Sequence, residues 1–179
     1  MSKHVSSAIL GTVAIGAIIW VSFQGLPAHT LPPQGWGVTN PDITQANISQ
    51  NICNPKWSTK SIRPSVSYTN NLKAQYLNDP KWGYTDKAMG DYELDHVISL
   101  ELGGSPTDPK NLWSEPYSNT VNGIDYGARS KDKVEGYLHR QVCSGAMTLA
   151  EAQKEISTNW VEVYQKINNI TVPESDTDN

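Results

Sequence analysis

Tyr92–Trp113, YELDHVISLELGGSPTDPKNLW, is the stretch from which the fold of this chain is read. Asp95 and His96 stand side by side in an apolar run with the alternation of a strand, the chain turns at Gly103-Gly104, and it resumes at Asn111-Leu112-Trp113. This order predicts a β-hairpin. Asp95 offers a hard anionic oxygen suited to Mg²⁺ or Mn²⁺, and His96 titrates near neutrality, so it can take a proton from water. A metal ligand beside a base points to metal-assisted hydrolysis. Alternation sets a condition on that reading. It puts Leu94, His96, Ile98 and Leu100 on one face and Glu93, Asp95, Val97 and Ser99 on the other, so Asp95 and His96 can serve one ion only at an irregular strand or at its edge. Otherwise they read as a hydrogen-bonded strand histidine and a turn or salt-bridge acid.

Downstream, Glu115–Tyr126, EPYSNTVNGIDY, reads as a loop, and Ala128–Cys143 reads as a helix with Val134, Tyr137, Leu138 and Gln141 on one stripe and Gly145 as its terminator. A different stripe carries Asp132, Glu135 and His139. Glu135 and His139 are four apart, the spacing that sets two metal ligands on one helical face. The same spacing also suits an acid and a histidine that pair with each other on a solvated face.

An Asp-His pair on a strand, a Gly-Gly turn, Asn111-Leu112 and a following helix together resemble the HNH, or His-Me finger, endonucleases, over Tyr92 to Cys143, about a third of the chain. The resemblance implies an α+β fold in which a central β-hairpin followed by a helix, a ββα-metal unit, packs with additional helices. It also implies cleavage of a phosphodiester with one divalent metal ion, Mg²⁺ or Mn²⁺, with Zn²⁺ as the alternative. By resemblance His96 is the base, Asn111 braces the loop and Asp95 binds the metal. The family usually places a His or Asn as the last ligand on the helix; here the candidates at that place are Asp132 and Glu135, with His139 one turn on.

The 179 residues suffice for one substantial core, so one domain with appendages is expected. The net charge of -4 is unevenly placed. Residues 1–90 hold 7 Lys+Arg against 3 Asp+Glu, and residues 91–179 hold 7 against 15. A nucleic-acid partner, DNA before RNA, would therefore meet its basic footprint in the first half, where Lys56, Lys60, Arg63 and Lys73 form a cluster; Lys60 and Arg63 are the candidate phosphate contacts.

At the N-terminus, Ala8–Phe23 carries no charge and follows Lys3 and His4, so residues 1–24 read as a signal peptide or a membrane anchor. Either places the chain outside the cytoplasm, released or tethered. Residues 25–44, with Pro27, Pro32, Pro33 and Pro41, read as a linker, residues 45–170 as the nuclease-like domain, and residues 171–179 as a disordered acidic tail. Ahead of the hairpin, Thr69 is expected to cap a helix that ends before Pro80. Beyond it, Thr148 and Glu151 form a capping-box pattern that opens another helix, followed by a helical run with Trp160, Val163 and Tyr164.

Cys53 and Cys143 have no CxxC partners, which excludes a zinc knuckle. In an exported chain they are expected as a disulfide, worth about 4 to 5 kcal/mol in the chain-entropy model; two buried thiols are the alternative. The expectation for function is an exported metal-dependent endonuclease. Against it stand a catalytically silent, disulfide-stapled binding module of the cell envelope, which the acidic charge favours, and a hydrolase of a different phosphoester.

Overall fold

The computed structural model describes residues 25–170, so the apolar stretch Ala8–Phe23 and the acidic tail lie outside the described residues. Among the described residues no helix is long and apolar enough to cross a membrane. The fold is mixed α+β, with three α-helices and two small antiparallel hairpins.

Helix α1, Val66–Asn78, begins four residues before the sequence expectation of an N-terminus after Thr69. Ser65, not Thr69, is its cap. The Ser65 side chain accepts from the Tyr68 amide, while the Thr69 hydroxyl donates back to the Val66 carbonyl from inside the helix. Strands β1, Tyr92–His96, and β2, Leu112–Pro116, pair antiparallel, with Asp95 opposite Trp113 and Glu93 opposite Glu115. The strand stops at His96 although the apolar alternation runs on to Leu100, because beyond Val97 the partner of the backbone is the Asn111 side chain. Its carboxamide accepts from the Ile98 amide at 2.9 Å and donates to the Ile98 carbonyl at 3.0 Å.

The stretch 115–126, expected as a loop, holds the end of β2 and a second hairpin of β3, Thr120–Val121, and β4, Ile124–Asp125. The turn between them is Asn122-Gly123, both with positive φ. That is the two-residue signature of a tight hairpin turn, and it was there to be read between Val121 and Ile124. Helix α2 spans Ala128–Cys143 and ends where Gly145 takes a positive φ. Helix α3, Leu149–Ile167, opens on the Thr148/Glu151 capping box and continues through one non-helical residue, Asn159, so the two expected helical runs form one bent helix.

The β1–β2 ribbon separates two apolar clusters. Tyr92, Leu94 and Leu112 pack with Tyr76 and Leu77 of α1 and with Tyr84. The larger cluster joins Val134, Leu138 and Val142 of α2 to Ala152, Ile156 and Trp160 of α3, with Ile43, Ile98 and Leu102 closing it. The Pro-rich stretch read as a linker is anchored to this body. Thr39 bridges Gly104, the Val38 amide donates to Asn111, Ile43 is in the core, and the buried Trp160 indole donates to the Thr30 carbonyl. Prolines withhold ladder donors, so this segment lacks regular strands and makes single hydrogen bonds instead.

Cys53 and Cys143 form a disulfide with Cα atoms 5.3 Å apart, which ties the segment before α1 to the C-terminus of α2 across 90 residues of sequence. Replacing both by serine is expected to lower the unfolding free energy by about 2 to 5 kcal/mol, measured by urea denaturation with the midpoint and slope compared between variant and parent. A change under about 0.5 kcal/mol would show that the bridge contributes little to stability.

Candidate functional site

The site is built where the free edge of β1 meets α2. In a two-stranded ribbon β1 has one unpaired edge, and a small cleft of about 90 Å³ lies along it, lined by Asp95, His96, Asp132 and Glu135 together with Arg63, Thr59, Glu93 and Glu101. Asp95 and His96 lie on opposite faces by alternation, yet both reach the cleft, because His96 is the last strand residue and the edge is open to either side. His139 does not join them. Its Nε2 lies 2.7 Å from the Ile52 carbonyl oxygen and 3.4 Å from Cys143 Sγ, beside the disulfide rather than the cleft. One helical turn from Glu135 was enough to carry it to another part of the surface. The Cys53, His139 and Cys143 side chains do cluster, but the two sulfurs are bonded to each other.

His96 is 7% exposed, and its Nε2 lies 3.1 Å from the Pro106 carbonyl oxygen. A carbonyl only accepts, so Nε2 carries the proton and Nδ1 keeps its lone pair. Burial pushes the His96 pKa below its ordinary value, against the Asp95 charge and the Pro106 carbonyl, and so favours the neutral ring. The position of Pro106 depends in turn on Asn111. This fully buried side chain donates to the Ser105 carbonyl at 2.8 Å and to Ile98, and accepts from Ile98 and Val38. Gly104 lets the turn close so tightly, since a Cβ there would sit 1.8 Å from the Ile98 carbonyl oxygen.

Behind the cleft lies a residue that sequence reading passed over. Lys131 of α2 is fully buried, and its ammonium donates to Asp95 Oδ2 at 2.6 Å, Glu135 Oε1 at 2.5 Å and the His96 carbonyl at 2.8 Å. Three acceptors match its three donors. Burial works against the charged lysine, but Asp95, Glu135 and Glu115 outweigh it and hold the pKa above the ordinary value. Burial opposes the charge on Asp95 as well, yet Lys131 holds that carboxyl below its usual range. A partial signal was present in the sequence, because Lys131 stands four residues before Glu135, the spacing of a helical ion pair.

Glu115, in the stretch that reads from sequence as a loop, is a strand residue of β2. It is fully buried on β2, and neither carboxyl oxygen has a hydrogen-bond partner among the described residues. Burial, with the neighbouring Asp95 charge, pushes its pKa well above the usual carboxylate range against the pull of Lys131, so the interior favours its neutral form. Burial also raises Glu93, Asp132 and Glu135, with the Asp95 charge adding to each.

Of the basic candidates, Arg63 lines the cleft, while Lys60 is exposed and is not among its lining residues. Lys73 is committed to the fold, donating to the Met89 and Tyr92 carbonyls. No family model, curated protein or solved structure matches this chain.

Lys131→Met is expected to destabilise the fold by about 3 to 5 kcal/mol, because two buried carboxylates lose their counter-charge. The loss has a pH sign. In the parent Lys131 holds Asp95 below its usual range while burial already raises Glu135; without the ammonium the Asp95 carboxyl too has a folded-state pKa above its unfolded one, so the variant loses more stability than the parent as pH rises. Urea midpoints that fall from pH 5 to pH 8 in the variant, relative to the parent, would show it; parallel midpoints would contradict it.

Proposed function

We propose that this chain is a metal-dependent endonuclease of the HNH, or His-Me finger, type, which hydrolyses a phosphodiester of nucleic acid at the cleft beside His96. The observation that carries the reading is the state of His96: a buried imidazole whose Nε2 is occupied by a backbone carbonyl, leaving Nδ1 as a proton acceptor in a cleft lined by carboxylates. The order β1, β2 and, past the short β3–β4 hairpin, α2, with Lys131 of α2 joined to Asp95, supports the finer ββα assignment.

A divalent ion fits the donor chemistry. Asp95, Glu93, Asp132 and Glu135 line one cleft and offer hard oxygens of the kind Mg²⁺ or Mn²⁺ takes, but among the described residues no three of them bring ligand atoms within 4.8 Å of one another, so these side chains would have to close in on a bound ion. Lys131 already takes one oxygen of Asp95 and one of Glu135, so the ion would be held by the oxygens that remain, with Asp132 or Glu93 completing the set. When bound it supplies Lewis-acid stabilisation of charge on the phosphate.

The chain's own residues do the rest. Pro106, positioned through Asn111, holds the His96 tautomer. His96 Nδ1 takes a proton from water for in-line attack on phosphorus. Arg63 meets a phosphate oxygen at the cleft mouth. The apolar N-terminal segment would deliver this activity outside the cytoplasm, released or tethered to the membrane.

The alternative is a silent binding module of the cell envelope, and one observation favours it: the Lys131 ammonium already neutralises Asp95 and Glu135. Plasmid nicking with Mg²⁺, Mn²⁺ or Zn²⁺, against EDTA, separates the two. His96→Ala is expected to lower the rate about 10²- to 10⁴-fold while the domain stays folded and still binds metal. In the parent the rate is expected to rise with pH through a value below the ordinary imidazole 6.5, since the base must be neutral and burial lowers its pKa. Absence of cutting of both plasmid and single-stranded DNA with every metal would favour the binding module.

Arg63→Glu is expected to weaken nucleic-acid affinity and flatten its salt dependence, and Lys60→Glu to do so less, because only Arg63 lines the cleft. Equal effects measured by fluorescence anisotropy across a salt series would move the phosphate path out of the cleft.

A further inference from the structure

Along the edge of β1 the His96 cleft adjoins a wider groove of about 240 Å³. The two share Arg63, Glu93, Leu94 and His96. Val66, the first residue of α1, and Tyr117, the residue after β2, both line this groove. They are also the exposed large hydrophobic residues of the described chain, at 74% and 39%. A single exposed apolar side chain needs no explanation, but two brought from distant parts of the sequence into one groove beside the base do. Thr69 and Asn70 add polar groups to the same lining.

We propose that this groove is a nucleobase subsite, taking an unpaired base next to the scissile phosphate, stacked on the Tyr117 ring and packed on Val66, so that the substrate is single-stranded or locally unpaired nucleic acid. The proposal rests on the nuclease reading for what enters the cleft. Space supports it: the cleft beside His96 is small, about 90 Å³, and the groove that adjoins it is the larger, about 240 Å³, so a base next to a phosphate at His96 finds more room there. Charge supports it as well. Affinity for a duplex comes largely from neutralising phosphates, and the half of the chain that holds β1 and α2 has 7 Lys+Arg against 15 Asp+Glu. Stacking on an aromatic ring needs no net positive charge and tolerates any base, but it requires a base whose face is open. Paired bases in a duplex have both faces covered by their neighbours.

The test uses the intact protein in EDTA, which prevents turnover under the nuclease reading, titrated with a labelled single-stranded oligodeoxynucleotide and with its duplex. The single strand is expected to bind about tenfold or more tightly than the duplex. Tyr117→Ala should weaken single-strand binding about tenfold, and Tyr117→Phe should leave it nearly unchanged. In cleavage of the single strand, Tyr117→Ala should raise KM more than it lowers kcat. Because Tyr117 is exposed, both variants should keep the parent's melting temperature; Val66→Ser gives an independent arm if Tyr117→Ala does not fold.

Equal affinity for duplex and single strand, or single-strand binding indifferent to both Tyr117→Ala and Val66→Ser, overturns the subsite. The two readings fail separately. Tyr117-dependent single-strand binding by a protein that cuts nothing with any metal would end the nuclease reading and keep the subsite. Duplex cleavage untouched by Tyr117→Ala would end the subsite and keep the nuclease.

Discussion

An ammonium group with no solvent exposure is stable only if each of its protons finds an acceptor and its charge finds a counter-charge, and Lys131 meets both requirements at one point. Asp95 belongs to β1, the His96 carbonyl to the end of that strand, and Glu135 to the helix that carries Lys131 itself. The bond set therefore fixes the rotation of α2 about its axis and its height against the strand. It also decides which helical side chains look into the cleft. Asp132 and Glu135 do, whereas His139, a turn further on, is delivered to the disulfide.

The same cluster sets the electrostatics. One lysine stands among three carboxyl groups, so their protonation states separate. Asp95, whose side chain keeps 15% exposure at the cleft, is held ionised by its direct bond to Lys131, while the fully enclosed Glu115 is pushed toward its neutral form by burial and by the Asp95 charge beside it. Pairs of acids driven apart by their surroundings are common at sites where charge is handled, although structural ion-pair networks produce them too. A second, neutral network is organised by Asn111. It ties residues 38, 98 and 105 together and so places Pro106, whose carbonyl settles the tautomer of His96. The two networks meet at the Asp95-His96 pair, one acting through a side chain and the other through a ring nitrogen.

The strand with its Asp-His pair, the Gly-Gly turn and the helix over 128–143 were legible because each rests on a local rule: alternation along a strand, the close approach that only glycine permits, and a helical stripe ended by glycine. Asn111 was singled out only through the resemblance, since no spacing rule marks a side chain that bonds to residues 38, 98 and 105. The disulfide was legible from an even cysteine count. The second hairpin was legible too, through Asn122-Gly123, but its strands are two residues each and fall below the length at which alternation is informative.

Residue types and spacings by themselves determined an α+β chain with a hairpin, a capped C-terminal helix and an acidic second half, because these are properties of neighbours along the backbone. Only the tertiary structure decided which acids share the cleft, that Arg63 reaches it and Lys60 does not, and that a lysine sits at the centre of the carboxyl cluster. The reason is geometric. Lys131, Glu135 and His139 lie along one side of α2, so whether they meet β1 or pass beyond it depends on the helix's rotation and on its height against a strand some 35 residues earlier, and no rule of spacing within the helix contains either.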